Sequence, residues 1–162
     1  MPLTDLLLLS LLILINGAPI LVRQWLGSRL SAPLDAGRKL ADGRPLFGAS
    51  KTWRGLAAAL LCGGLAAPLL GLPWSLGLAM AAAAMAGDLL SSFTKRRLGI
   101  EPSGQALGLD QIPESLLPLL VARHWLPALG LGEALLLSLL FLVVELGLSR
   151  LLYRLRIRKR PY

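Results

Sequence analysis

Long apolar runs, broken by two polar segments and closed by a basic tail, set the pattern of this chain. About 20 apolar residues cross a hydrocarbon core, so the pattern predicts five membrane helices, roughly 3–22, 53–70, 72–90, 112–129 and 131–153. Between Gly55 and Gly87 no charged residue occurs. That stretch is long enough for two helices, with Gly71-Leu72-Pro73 as the natural hairpin. The first run is short of the marks of a secretory signal. Its start lacks Lys and Arg, and Ile15-Asn16-Gly17-Ala18-Pro19 offers no small-x-small cleavage site, so it is read as a helix. The expected fold is all-α: one integral membrane domain over 1–162, with loops at about 23–52 and 91–111 and a tail at about 154–162.

Charge gives this arrangement a direction. Seven basic residues lie between Arg23 and Arg54, three at 95–97 and six from Arg150 to Arg160; of the 17 in the chain, only Arg123 lies elsewhere. Such asymmetry predicts cytosolic loops and tail, an outside N-terminus, and a multi-pass protein of the cytoplasmic (inner) membrane. Composition agrees: 55% of the 162 residues are hydrophobic and 16% charged, with a mean hydropathy of +0.66, too apolar for an ordinary soluble domain. The net charge of +8 therefore does not point to nucleic acid. The tail "RLLYRLRIRKRPY" reads as a juxtamembrane cluster on anionic lipid, at about 1 kcal/mol per basic residue near the surface. Cys62 and His124 are each alone in the sequence, which removes a disulfide framework and His-based metal sites. The small-residue runs "AAAAMAG" and "GGLAAPLLG" are expected to pack helices closely. Nothing in the sequence bears on oligomeric state.

Polar chemistry concentrates in the two loops. The first carries Asp35, Gly37, Arg38, Lys39, Asp42, Gly43, Arg44, Gly48, Lys51, Thr52 and Arg54. Glycines let backbone approach a ligand, and exposed N–H groups in such turns bind phosphate oxygens. A topogenic basic loop would explain the charges alone, but needs neither the glycines nor the two acids. The stretch from Gly43 to Thr52 approaches a P-loop, yet has two extra residues before Lys51 and no buried strand ahead of it.

The second loop is bracketed by carboxylates. Asp88 stands near the expected end of span three, and Asp110 and Glu114, four residues apart, share one face at the start of span four. Asp110 has an N-cap as its ordinary reading, but Pro113 occupies the position where a capping box would need Glu. Asp88 at a membrane boundary requires a cation or a metal, and Lys95 or Arg96 offers the simpler partner. Glu145, within span five, is expected to pair with Arg150 or a polar neighbour across the bundle. Three carboxylates beside basic loops suit Mg²⁺ and a polyphosphate, because Mg²⁺ takes one or two carboxylates and fills its shell with phosphate and water. At a bilayer edge this chemistry fits a lipid phosphate meeting a nucleoside triphosphate. A phosphomonoester is largely dianionic at neutral pH, so the nucleophile needs neither His nor Ser.

These residues resemble the motifs of the CDP-archaeol synthases and their bacterial relatives, small members of the CTP-dependent phosphatidate cytidylyltransferase superfamily. The first-loop motif is matched by Pro33-Leu34-Asp35-Ala36-Gly37, then Asp42-Gly43-Arg44, Gly48 and Lys51-Thr52-Trp53-Arg54-Gly55. The second is matched by Gly87-Asp88-Leu89, Ser92-Phe93 and Lys95-Arg96-Arg97-Leu98-Gly99, and the third opens with Leu109-Asp110-Gln111. Asn16 and Pro19 also echo the family. The family places a second acid three residues after Asp110; here Pro113 stands there and Glu114 follows. The resemblance implies a membrane nucleotidyltransferase of phospholipid biosynthesis that joins CTP and a lipid phosphate into a CDP-lipid with release of pyrophosphate. It further implies that Asp88, Asp110 and Glu114 hold Mg²⁺, and that Lys51 and Lys95 act in catalysis with Asp88 and Asp110. Asp35, Gly37, Asp42, Gly43, Arg44, Gly48, Lys51, Thr52, Arg54, Lys95 and Arg96 would embrace the nucleotide. The alternative is a non-catalytic protein of the same fold that binds nucleotide or lipid phosphate. The Asp-Gly-x-x-Ala-Arg motif of CDP-alcohol phosphotransferases is absent.

Overall fold

The computed structural model describes residues 3–102, 104 and 106–156. Five helices follow in order: α1 (Leu3–Leu26), α2 (Trp53–Leu69), α3 (Trp74–Arg97), α4 (Gln111–Ala122) and α5 (Leu131–Arg154). Among the described residues the only β-type pairing is two isolated bridges, Pro33–Thr52 and Lys39–Pro45. The protein is an all-helical, multi-pass membrane protein. Three helices, α1, α3 and α5, are long and apolar enough to cross a bilayer, while α2 and α4 are shorter apolar helices.

Helix α3 is the axis of the bundle, packed against α1, α2 and α4; α5 closes on α4 and α1. Leu8, Leu11, Leu12 and Ile15 of α1 meet Leu76, Met80 and Ala84 of α3, Leu119 of α4, and Leu137 and Phe141 of α5 in the fully covered core. Outward faces carry Leu61, Leu65, Leu69, Leu135, Leu136 and Leu139, the side chains a lipid-facing helix presents. The small-residue runs do pack closely. A Cβ on Gly77 would stand 2.0 Å from the Gly63 carbonyl oxygen and 2.5 Å from Ala67 Cβ, so α2 and α3 touch backbone to backbone.

Three boundaries differ from the sequence expectation. Helix α1 runs on to Leu26, so the first loop begins later than residue 23. Helix α3 runs to Arg97 rather than stopping near 90, because Ser91, Ser92, Lys95 and Arg96 are buried against the loops instead of facing water. Lys95, Arg96 and Arg97 fill its last turn, where cations oppose the negative end of the helix. Asp88 consequently lies nine residues, about 13 Å, inside α3 and not at its end. The helix expected over 112–129 is corrected most: α4 has 12 residues and is about 18 Å long, short of a ~30 Å hydrocarbon core. The chain leaves it in tight turns, with His124 N bonded to Val121 O at 3.1 Å. Pro127 then disfavours helical backbone at Leu126. Of the basic tail, residues 157–162 lie outside the described residues.

Candidate active site

The first loop, between α1 and α2, is folded by its own residues. Leu34 N bonds Lys51 O at 2.8 Å and Trp53 N bonds Ala32 O at 3.1 Å, closing its base. Leu46 N to Arg38 O and Leu40 N to Arg44 O, both 3.0 Å, close an inner hairpin whose tip needs Gly43 at φ 74°. Asp35, 5% exposed, is the hub: its carboxylate accepts the backbone N–H of Gly37 (3.0 Å), Phe47 (3.0 Å) and Gly48 (2.8 Å). Thr52 caps α2, its Oγ1 accepting Gly55 N at 3.2 Å. Arg54 reaches back to the carbonyls of Gly27 (2.9 Å) and Arg29.

The same loop is fastened to the end of α3. Arg97 donates to Asp42 Oδ2 at 2.6 Å and to Pro45 O at 2.6 Å, while Arg44 donates to the carbonyls of Arg96 and Arg97. Asp35, Asp42, Arg44, Thr52 and Arg54, all expected to meet nucleotide, thus spend their polar groups on the loop and its attachment. Arg97, absent from that expectation, is a principal fastener; the basic triplet was the signal for it. The burial of Asp35 pushes its carboxyl pKa up, but the N–H groups of Gly48, Phe47 and Gly37 together pull it below the ordinary 3.8. A folded pKa below the unfolded one stabilises fully above about pH 4, and the contribution is lost as pH falls through the folded value. Acid should therefore loosen the first loop, read as protease sensitivity at 35–50. The change Asp35→Asn should bring that sensitivity on at neutral pH, at a cost of about 2 kcal/mol, and flatten the acid response.

Beneath the loop, α3 and α4 bring the acids together. Lys51 Nζ lies 2.6 and 2.7 Å from the two Asp88 oxygens. Lys95 Nζ lies 2.5 Å from Asp110 Oδ1 and 3.1 Å from Gly104 O. Asp110 makes no cap bond to α4; its Oδ2 instead accepts Ala106 N at 2.9 Å. Glu114 stands in the first turn of α4, where its backbone lies against α3 at Gly87. The close approach rests on Gly87, where a Cβ would stand 2.2 Å from Pro113 O and 2.8 Å from Glu114 N. Arg96 is 3% exposed and its Nη1 has no partner among the described residues. This nitrogen lies near Gly48, whose φ of 96° and lack of Cβ keep the spot open. Two shallow clefts flank it. One, of about 260 Å³, is lined by Pro33, Gly37, Lys39, Pro45, Gly48 and Pro102; the other, of about 180 Å³, by Arg44, Arg96, Gly99, Ile100, Glu101 and Pro102.

Whether these donors fit a hard divalent cation turns on their chemistry. Among the described residues no three Asp, Glu, His or Cys side chains converge as a metal cage, so the expected three-carboxylate cluster is not assembled as such. Asp88 and Asp110, each held by a lysine, nonetheless suit a cation that takes one or two protein carboxylates and completes its shell elsewhere. The residues fit that group. Glu145 meets a polar neighbour across the bundle, as one of its two expected pairings had it: Gln111 of α4 at 3.0 Å, beside Ser149 of its own helix at 3.2 Å.

Residues 4–162 match the family described as CarS-like, CDP-archaeol synthase. The CDP-archaeol synthase of Pyrococcus furiosus is 35% identical over 142 residues, spanning 80% of this chain and 83% of the relative. That of Sulfolobus acidocaldarius is 32% identical over 135 residues, with 80% and 83% covered. A solved structure of "an intramembrane enzyme for archaeal membrane lipids biosynthesis" superposes with a TM-score of 0.73 at 32% identity, over 88% of this chain and 90% of that one. With a family match running from α1 to the C-terminus, and relatives similar along most of their own length, this chain belongs to the CDP-archaeol synthase family.

Proposed function

We propose that this protein joins CTP to a lipid phosphate of the phosphatidate or archaetidate type, giving a CDP-activated lipid and pyrophosphate. The observation that carries the reading is a pair of lysine-held carboxylates beneath a glycine-bearing loop, Asp88 with Lys51 and Asp110 with Lys95, together with the buried Arg96 guanidinium whose Nη1 lacks a partner among the described residues. Mg²⁺, when bound, would supply Lewis-acid charge neutralisation to the phosphate groups that react.

The chain's own residues do the rest. Asp88, Asp110 and Glu114 would hold the cation. The ammonium groups of Lys51 and Lys95 are ion-paired to the first two acids and stand where a triphosphate would meet them. Repulsion between a dianionic lipid phosphate and a polyanionic nucleotide is the main barrier, and these cations offset it. The unpartnered Nη1 of Arg96 is a donor waiting for an acceptor, and a phosphate oxygen satisfies it. The first loop, fixed by Asp35 and fastened through Arg97, supplies Gly37, Gly43 and Gly48 as an open backbone surface for the nucleotide. The displacement is in-line: an oxygen of the lipid phosphate attacks the α-phosphorus, the α–β bridging bond breaks, and pyrophosphate leaves with the electron pair. No side chain need remove a proton.

The short α4 supports lipid access, since its first turn holds the acids at a level where a headgroup can lie beside the bundle. The charge asymmetry supports a site facing the cytosol in the cytoplasmic membrane, with the tail resting on anionic lipid. Purified protein incubated with labelled CTP, Mg²⁺ and either an ester- or an ether-linked lipid phosphate tests the reading. A labelled CDP-lipid abolished by chelator is expected. CTP binding without product from either lipid would overturn it in favour of a non-catalytic binder.

A further inference from the structure

Glu145 is a carboxylate inside an otherwise apolar 24-residue helix, and such a group requires hydrogen bonds. Its Oε2 accepts Gln111 Nε2 at 3.0 Å and its Oε1 accepts Ser149 Oγ at 3.2 Å. The partner on α4 has a defined orientation for a chemical reason. With a carboxylate oxygen as acceptor, the NH₂ end of the Gln111 amide turns toward α5. The Gln111 oxygen must then face away, and it accepts the backbone N–H of Gly108 at 3.0 Å. Gln111 is 4% exposed, so no water competes for either end.

Gly108 belongs to the turn that presents Asp110. Within it Asp110 N bonds Ala106 O at 3.0 Å, Ile112 N bonds Gly108 O at 2.9 Å, and Ala106 N bonds Asp110 Oδ2 at 2.9 Å. Gly108 itself has φ 80°, a left-handed conformation open to glycine, and the bond from Gln111 selects it among the many a glycine can adopt. Hydrogen bonds thus run from Glu145 through Gln111 to Gly108, and the covalent backbone of the same turn carries that hold two residues on to Asp110. We infer that Glu145 is a positioning residue for Asp110, acting through the amide of Gln111. The inference rests on the proposed reading only in taking Asp110 as a metal ligand. Partners one step removed from a ligand characteristically set its orientation and affinity.

The test reverses the polarity of the pair in the full-length protein in nanodiscs. Gln111→Glu sets two carboxylates against each other and should speed hydrogen–deuterium exchange over residues 106–112. It should also raise the half-saturating Mg²⁺ or Mn²⁺ concentration for turnover by about 10- to 100-fold. Adding Glu145→Gln restores the bond with donor and acceptor exchanged, since the new amide on α5 donates to residue 111, which still accepts Gly108 N–H. Both readouts should return toward those of the unaltered protein. Glu145→Leu, with no donor or acceptor, should loosen the turn with no rescue by Gln111→Glu. Native exchange and metal dependence in Gln111→Glu, or failure of the double variant to recover, would overturn the relay. Should Gln111→Glu alone not fold, a double variant that folds with native exchange is the same rescue. Exchange is read without substrate, so it reports on the relay independently; absence of CDP-lipid from the unaltered protein would overturn the proposed reaction instead.

Discussion

Replacing Asp88 with asparagine is expected to abolish CDP-lipid formation, by at least about 100-fold, while leaving the protein folded and membrane-inserted. That magnitude is already reached by changes one step removed from a metal ligand, and Asp88 is proposed as a ligand itself. Asparagine keeps the size of the side chain and one oxygen that can still accept from Lys51 Nζ, now 2.6 Å from Asp88 Oδ1. What it loses is the negative charge. The pair is about one-fifth to one-quarter exposed, so the loss should change thermal stability in detergent by no more than about 1 kcal/mol.

Two roles for Asp88 predict different details. As a ligand, its loss shifts metal dependence: any residual turnover requires far more Mg²⁺ or Mn²⁺. As a mere counter-ion for Lys51, its loss would leave metal dependence alone, and Lys51→Met combined with Asp88→Asn would be no worse than either single change. A double-mutant cycle separates the two, because residues in contact fail to add by an amount that measures their coupling. The expected result is that Lys51→Met retains metal dependence but weakens CTP turnover, and that Asp88→Asn is the more severe change. Full turnover in Asp88→Asn would remove the residue from the mechanism.

The sequence made some of this legible and hid the rest for physical reasons. Apolar length located all five helices, because an apolar run is written continuously along each; α5 over Leu131–Arg154 differs from its expected range by one residue. The end of α3 was hidden because Ser91, Ser92, Lys95 and Arg96 read as water-facing until the first loop is seen lying over them. The end of α4 was hidden because an apolar run says nothing about where helix stops, and Pro127 acts only on the residue before it. In the site, residue type pointed to Lys51, Asp88, Lys95, Arg96 and Asp110, of which the fold pairs Lys51 with Asp88 and Lys95 with Asp110. The separate duties within the loop were not readable. Asp35 and Arg54 look like ligand-binding groups, yet their partners are main-chain N–H and carbonyl groups of the same loop, and backbone partners carry no residue-type signal. Gln111 with Glu145 was equally silent, since the two lie 34 positions apart on helices whose pairing periodicity alone does not give.

The change Gly87→Ala is expected to be nearly as damaging as Asp88→Asn, by a different route. In an isolated helix alanine is favoured over glycine by roughly 0.5–1 kcal/mol, so local propensity predicts a gain. Packing decides otherwise. The new methyl would stand 2.2 Å from the Pro113 carbonyl oxygen, 2.4 Å from its carbon and 2.8 Å from Glu114 N. All three are backbone atoms, so no rotamer change relieves the contact, and α3 must part from α4. Such overpacking costs about 1–3 kcal/mol, outweighing the propensity. The displaced segment carries Glu114 and follows directly on Asp110, and Gly87 adjoins Asp88, so the same shift that lowers stability moves the acids of α3 and α4 apart. Turnover should fall by about tenfold or more, with a higher metal requirement, beside a modest drop in melting temperature. Gly64→Ala is the control: it makes the same chemical change in α2, where a Cβ meets nothing within 4 Å. That variant should melt no lower than the unaltered protein and turn over normally. Were Gly87→Ala to keep both full activity and ordinary metal dependence, close approach of α3 to α4 would not be what assembles the site.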